Sequence, residues 1–127
     1  GEVVHAGAHE DILVWRASTG QVERIATVGT WLGACPDVKK ATVESRFRLE
    51  VGDVVLLHTD GITETRNATK EQFGLERLET ALAASGGGQP EASVASLLER
   101  VSHFSSRRTD DWTLLLVRYV GPGALAP

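Results

Sequence analysis

The sequence has one cysteine, no methionine and no apolar run long enough to cross a membrane. A lone cysteine, Cys35, excludes an internal disulfide and favours a reducing, cytoplasmic location. The first residues also lack the basic-then-apolar order of a secretory signal, so we expect neither export nor membrane insertion. Because no methionine is present to begin translation, we expect the chain to be a piece of a longer protein.

Basic residues are also scarce. Thirteen lysines and arginines face seventeen acidic residues, which gives a net charge of −4. A nucleic-acid surface needs clustered basic side chains, and the only dense pair is Arg107-Arg108, so no nucleic-acid partner is predicted. The 127 residues are enough for one core without disulfides. We predict one domain over residues 1–120 and a flexible tail over 121–127.

The first half of the chain has the pattern of short β-strands. Residues 3–8, 11–16 and 21–26 predict an antiparallel meander with turns between them. Residues 42–49 alternate toward their end, and 54–58 form a continuous apolar run typical of a strand covered on both faces. Between them, glycines and a proline indicate a loop over residues 29–40, whose Trp31 and Leu32 are apolar enough to pack on the core.

The second half changes to a helical period. One apolar face predicts a helix that ends at the glycines of residues 86–88, although its start, between Thr69 and Gly74, is left open. A second helix begins at Pro90 and has a longer apolar stripe. The two faces consist of Leu75, Leu78, Ala81 and Leu82, and of Val94, Leu97, Leu98, Val101 and Phe104. With a last strand over 112–120, the pattern predicts an α+β fold in which helices flank antiparallel sheet.

Two acidic sites adjoin apolar strands. Asp60-Gly61 follows the run that ends at residue 58, and Asp110-Asp111 precedes the last strand. Each site alone is more typical of a hairpin or a solvated turn. Together, two strands that each place an aspartate at a sheet end can bring both carboxylates onto one hard cation, which prefers oxygen ligands. The sequence therefore predicts half of a metal site and hydrolysis by bound metal.

The order of these motifs carries a family resemblance. Residues 59–64 (Thr-Asp-Gly-Ile-Thr-Glu), 73–78 (Phe-Gly-Leu-Glu-Arg-Leu) and 110–115 (Asp-Asp-Trp-Thr-Leu-Leu) occur in the same chain. This string resembles the metal-dependent protein phosphatases of the PPM family, and among them the bacterial branch similar to the stage II sporulation phosphatase. The resemblance runs from about residue 3 to residue 119 and covers the C-terminal half of such a domain. It implies a partial αββα sandwich.

The resemblance also implies a chemistry. Family members are phosphoserine/phosphothreonine phosphatases that use two Mn²⁺ or Mg²⁺ ions and a metal-bridging water, with no further catalytic side chain. By this resemblance Asp60 and Asp110 would be metal ligands. Residues that would support them are Gly61, Thr63, Glu64 and Asp111.

One departure from the family limits this expectation. The family's other metal ligands, on its N-terminal strands, have no counterpart here, so we expect the isolated segment to hold about half of the ligands and to be inactive alone. The resemblance implies a phosphorylated regulatory protein as substrate, for example an anti-sigma-factor antagonist in signal transduction. It also implies a sensor or regulatory domain upstream in the parent protein.

Two other functions are compatible with the sequence. One is a phosphatase-like domain without a complete metal site that serves as a binding or regulatory module. The other is a solitary α+β domain without phosphate chemistry, in which Asp60 and Asp110 would lie far apart. His58 could approach the metal region, but a structural role is favoured. Arg107 and Arg108 are interpreted as a solvated turn or as salt-bridge partners of the aspartates.

Overall fold

The computed structural model describes residues 1–30, 34, 36–39, 41–105, 107 and 110–123. Cys35, Trp31 and Leu32, and the last four residues of the predicted tail, lie outside the described residues. The described elements follow each other as β1 (Glu2–Ala6), β2 (Ile12–Trp15), β3 (Val22–Ile25), β4 (Glu44–Arg48), β5 (Val54–His58), α1 (Asp60–Thr63), α2 (Gly74–Ser85), α3 (Pro90–Phe104) and β6 (Leu114–Arg118). The predicted strands and the two long helices are present, and α1 is an additional short helix.

The described strands form two antiparallel sheets. The larger sheet has the order β3-β2-β5-β6, and β1 pairs only with β4 in a second sheet of two strands. The predicted meander is therefore wrong for β1. The register of β1 with β4 places Val3 opposite Phe47, and both side chains pack toward Ile12 and Val14 of β2. Burying this apolar pair on the face of β2 places β1 in a separate layer, which a hairpin with β2 would not allow.

The main core lies between the larger sheet and the two long helices. The apolar stripes predicted for α2 and α3 face this core, so their amphipathic pattern is confirmed. Helix α2 begins at Gly74, whose φ of +76° suits glycine, and this resolves the start that the sequence left open. The central buried side chains are Leu13, Leu56, Ile62, Leu78, Leu82, Leu97 and Val101.

The other face of the larger sheet is only partly covered. The second sheet packs on Ile12 and Val14, but Leu57 is 38% exposed, Leu115 53% and Val117 48%. The prediction that β5 is covered on both faces is therefore wrong at Leu57, because a cavity separates Leu57 from the end of β1 in the second sheet. Among the described residues, no helix combines the length and apolar character that a membrane crossing requires.

Candidate functional site

Asp60 lies where the chain leaves β5. The strand ends at His58, Thr59 is extended, and Asp60 is the first residue of α1, so the chain enters a helical turn and not a hairpin. The main-chain oxygen of Asp60 accepts hydrogen bonds from the N–H of Glu64 (2.7 Å) and the hydroxyl of Thr63 (3.2 Å). These bonds hold the main chain of Asp60 in the helical turn, while the residue itself is exposed.

The second acidic turn precedes β6. Asp110 and Asp111 are both exposed, and Oδ1 of Asp110 accepts a hydrogen bond from the N–H of Asp111 at 2.7 Å. A carboxylate bonded to the following main-chain N–H loses rotamer freedom. The turn therefore presents Asp110 in one orientation.

Thr59 joins the two acidic turns. Its hydroxyl donates to the main-chain oxygen of Asp111 (3.1 Å) and accepts from the N–H of Thr113 (3.2 Å). Its own N–H donates to the main-chain oxygen of Thr113 at 3.2 Å. Thr59 and Thr113 continue the pairing of β5 with β6, so residues more than fifty positions apart meet at one end of the sheet. This is not the arrangement expected of a solitary domain with distant aspartates.

Gly61 makes the contact between the turns closer than any other residue would allow. A Cβ on Gly61 would lie 2.4 Å from the main-chain oxygen of Asp111 and 3.4 Å from Cβ of Asp110. The first distance is shorter than van der Waals contact permits, so a side chain here would push the turns apart. Glycine is required at this position by close approach of the backbone.

A second connection lies beneath the turns. The hydroxyl of Thr65, a residue that is 2% exposed, donates to the main-chain oxygen of Gly61 at 2.6 Å. The same hydroxyl accepts a hydrogen bond from Nε1 of Trp112 at 2.9 Å. No pattern in the sequence marks Thr65.

The other residues proposed to support the site are less closely connected. Within the described parts of the chain, no hydrogen bond links the side chains of Thr63 or Glu64 to the Asp110-Asp111 turn. The same parts contain no group of three or more histidine, cysteine, aspartate and glutamate side chains that could hold an ion. Two carboxylates suit a hard divalent cation in kind but fall short of the six or more oxygens that such ions take. The donor set is thus compatible with the ion and incomplete.

His58 is part of the sheet interior. It is buried, its Nδ1 lies 3.4 Å from the main-chain oxygen of Thr59, and burial lowers the pKa of its imidazole. With His5 and Leu115 it lines a cavity of about 360 Å³ between the two sheets. The predicted turn at residues 107–108 falls partly outside the described residues.

Comparison with known proteins identifies the family. The sequence model of the family described as Stage II sporulation protein E (SpoIIE) matches residues 1–120. The chain belongs to the SpoIIE family. Protein IcfG of Synechocystis sp. is 30% identical over 115 residues, which are 90% of this chain and 18% of IcfG. The resemblance stated from the sequence is confirmed.

Solved structures share the fold of this SpoIIE-family chain. The Mn-presoaked phosphatase domain of SpoIIE from Bacillus subtilis matches with a TM-score of 0.66 and 18% identity, over 93% of this chain and 50% of that one. The RsbU and RsbW domains of a Mycobacterium tuberculosis protein match with a TM-score of 0.75 and 21% identity, over 94% of this chain and 33% of that one. The predicted fold class is confirmed, and the chain spans half or less of these relatives and is a partial domain.

Proposed function

We propose that this chain supplies about half of the metal ligands of a protein serine/threonine phosphatase, with Asp60 and Asp110 as ligands of Mn²⁺ or Mg²⁺. The observation that carries this proposal is the contact between the two acidic turns, which Thr59 joins to each other by hydrogen bonds. Aspartates on two turns that meet at one end of a sheet can offer oxygen ligands to the same hard divalent cation.

The chemistry of the site follows from its donor set. Such ions, when bound, activate water for attack on phosphorus and neutralise the phosphoryl oxygens. The chain's own contribution is placement, because Gly61 permits the close approach of the turns and Asp111 fixes the orientation of Asp110. The remaining ligands would come from the part of the domain outside this chain, which spans 50% of the SpoIIE phosphatase domain.

The family supports a proposal for the substrate class. We propose a phosphoserine or phosphothreonine on a regulatory protein, such as an anti-sigma-factor antagonist, with an upstream sensor or regulatory domain in the parent protein. Membership of the SpoIIE family and the much greater length of IcfG support this arrangement. The net charge of −4 supports a protein substrate over nucleic acid.

A binding or regulatory module is the second candidate. The described part of the chain contains no group of three metal-binding side chains, which agrees with this candidate as well as with the first. If the complete domain also lacks the other ligands, the acidic turns would serve recognition and not hydrolysis. Calorimetry of the full-length parent with Mn²⁺ separates the two, since only a phosphatase requires tight binding of the ion.

Activity of the full-length parent protein tests the phosphatase proposal. Asp60→Asn and Asp110→Asn should each lower Mn²⁺-dependent hydrolysis of a phosphoserine peptide by at least about 100-fold, since changes outside the ligand set already cost up to that much. Glu91→Gln, which changes an exposed carboxylate in the first turn of α3, is the matched control and should leave turnover unchanged. Normal turnover in both aspartate variants would remove the assignment.

A further inference from the structure

Thr65 is a buried residue that connects three segments next to the acidic turns. Its hydroxyl bonds to Gly61 in α1 and to Trp112 in the segment that leads into β6. Its main-chain oxygen accepts the N–H of Phe73, at the start of α2, at 2.8 Å. A hydroxyl has one donor and two acceptor positions, so Thr65 can make both side-chain bonds at once. We call these two bonds the Thr65 bridge.

Helix α1 depends on such contacts for its position. It has only four residues, and a helix of this length does not form by itself in water. On the side of Asp60 it is attached through Thr59 to the turn before β6. On the other side it is attached through the Thr65 bridge to Trp112, two residues after Asp110. The two attachments fix the helix against the second acidic turn.

We propose that Thr65 is a positioning residue for the metal site, acting through Gly61 and Trp112 to fix the separation between Asp60 and Asp110. This inference rests on the proposed function. Metal–ligand distances tolerate deviations of only about 0.2 Å, so a small shift of α1 changes ion affinity. Hydrogen bonds that orient ligands without touching the ion typically change metal affinity about 10–100-fold when they are removed.

Substitutions at Thr65 separate its shape from its hydrogen bonds. Thr65→Val keeps the volume and removes both bonds of the bridge, whereas Thr65→Ser keeps the hydroxyl. In the full-length parent, Thr65→Val should raise the Kd for Mn²⁺, measured by calorimetry, about 10–100-fold. Thr65→Ser should restore a value close to that of the unaltered protein.

A control of equal burial distinguishes positioning from general stability. Ser93 is also 2% exposed, and its hydroxyl donates to the main-chain oxygen of Ser85 at 2.6 Å, with the main-chain oxygen of Gln89 as a longer alternative acceptor at 3.1 Å. Ser93→Ala should lower the melting temperature but leave the Kd for Mn²⁺ unchanged. An equal rise in Kd for Ser93→Ala and Thr65→Val would overturn the proposal.

The remaining outcomes are also decisive. If Asp60→Asn raises the Kd for Mn²⁺ and Thr65→Val does not, this inference fails and the proposed function stands. If Asp60→Asn leaves the Kd unchanged, the proposed function fails first. Should Thr65→Val not fold, Trp112→Phe removes the indole donor together with part of the ring, and an unchanged Kd in that variant would overturn the inference.

Discussion

Gly61 and Asp111 touch through their main chains, and a Cβ on Gly61 would fall 2.4 Å from the oxygen of Asp111. These residues belong to the two acidic turns, which are fifty positions apart in the sequence. The contact makes the spacing of the turns sensitive to a single methyl group.

Gly61→Ala should therefore lower both stability and metal affinity in the full-length parent. Overpacking of this kind costs about 1–3 kcal/mol. Gly86→Ala, at the end of α2, is the matched control, because a Cβ on Gly86 would lie 2.4 Å from the ring of Trp15. Urea unfolding should show a lower free energy of unfolding for both variants. Mn²⁺ titration should show a changed Kd only for Gly61→Ala. Equal Mn²⁺ affinity in the two variants would contradict the role assigned to Gly61.

Asp53 should make stability depend on acid pH. Its side chain is 1% exposed and accepts hydrogen bonds from the N–H of Ala17 (2.9 Å), the N–H of Glu50 (3.0 Å) and the guanidinium of Arg16 (2.7 Å). Burial raises the pKa of Asp53, but these three bonds together hold it below its usual value of 3.8. The charged form is thus stabilised by folding, and this contribution is complete above the usual pKa and is lost as the pH falls through the lowered one.

Asp53→Asn should consequently flatten the acid side of the stability curve. The free energy of unfolding should drop by about 1–3 kcal/mol at pH 7. Below pH 4 it should vary less with pH than the free energy of unfolding of the unaltered protein does. Glu71→Gln is the control, since Arg77 also lowers the pKa of Glu71 but this carboxylate is fully exposed. Urea titrations at several pH values measure both. If Asp53→Asn leaves the acid dependence of the free energy of unfolding unchanged, the role given to the Asp53 carboxylate is disproved.

The uncovered end of the larger sheet should tolerate polar residues in the isolated chain. Leu115 is 53% exposed, so Leu115→Thr should change the free energy of unfolding by less than about 0.5 kcal/mol. Leu56→Ala, at a fully buried position on the adjacent strand, should cost about 2–5 kcal/mol. In the full-length parent we expect Leu115→Thr to become clearly destabilising, because the rest of the domain would cover this face. Equal effects in the short and long proteins would argue against such covering.

Metal binding should stabilise the full-length parent. An ion present at 100 times its Kd adds about 2.7 kcal/mol to the free energy of unfolding. Mn²⁺ should therefore raise the melting temperature, and Asp110→Asn should abolish the rise while Glu91→Gln keeps it. A rise that survives in Asp110→Asn would mean that the ion binds elsewhere.

Local patterns predicted most of the elements correctly. The apolar period of Leu78 and Leu82 and the position of Pro90 indicated both long helices, because helix formation is governed by neighbours three and four residues away. The pairing of β1 with β4 could not be predicted in this way, since their register depends on packing against β2 across the chain. The local pattern favoured a hairpin of β1 with β2, and this prediction was wrong.

Local patterns also indicated only some residues of the candidate site. Asp60 and Asp110 stood out because each adjoins an apolar strand, and their roles as ligands stay predictions. Thr65 did not stand out, since its importance comes from a partner 47 positions away, which no local pattern reveals. Thr63 and Glu64, proposed from the motif, make no side-chain hydrogen bond to the Asp110-Asp111 turn among the described residues.

The pairing of Thr59 with Thr113 spans 54 positions, and the whole helical part of the chain lies between them. Closing so long a loop has an entropic cost that only the completed packing of helices on sheet repays. The two acidic turns therefore come together only in chains in which β6 has paired with β5. A ligand that needs both turns would bind only those chains.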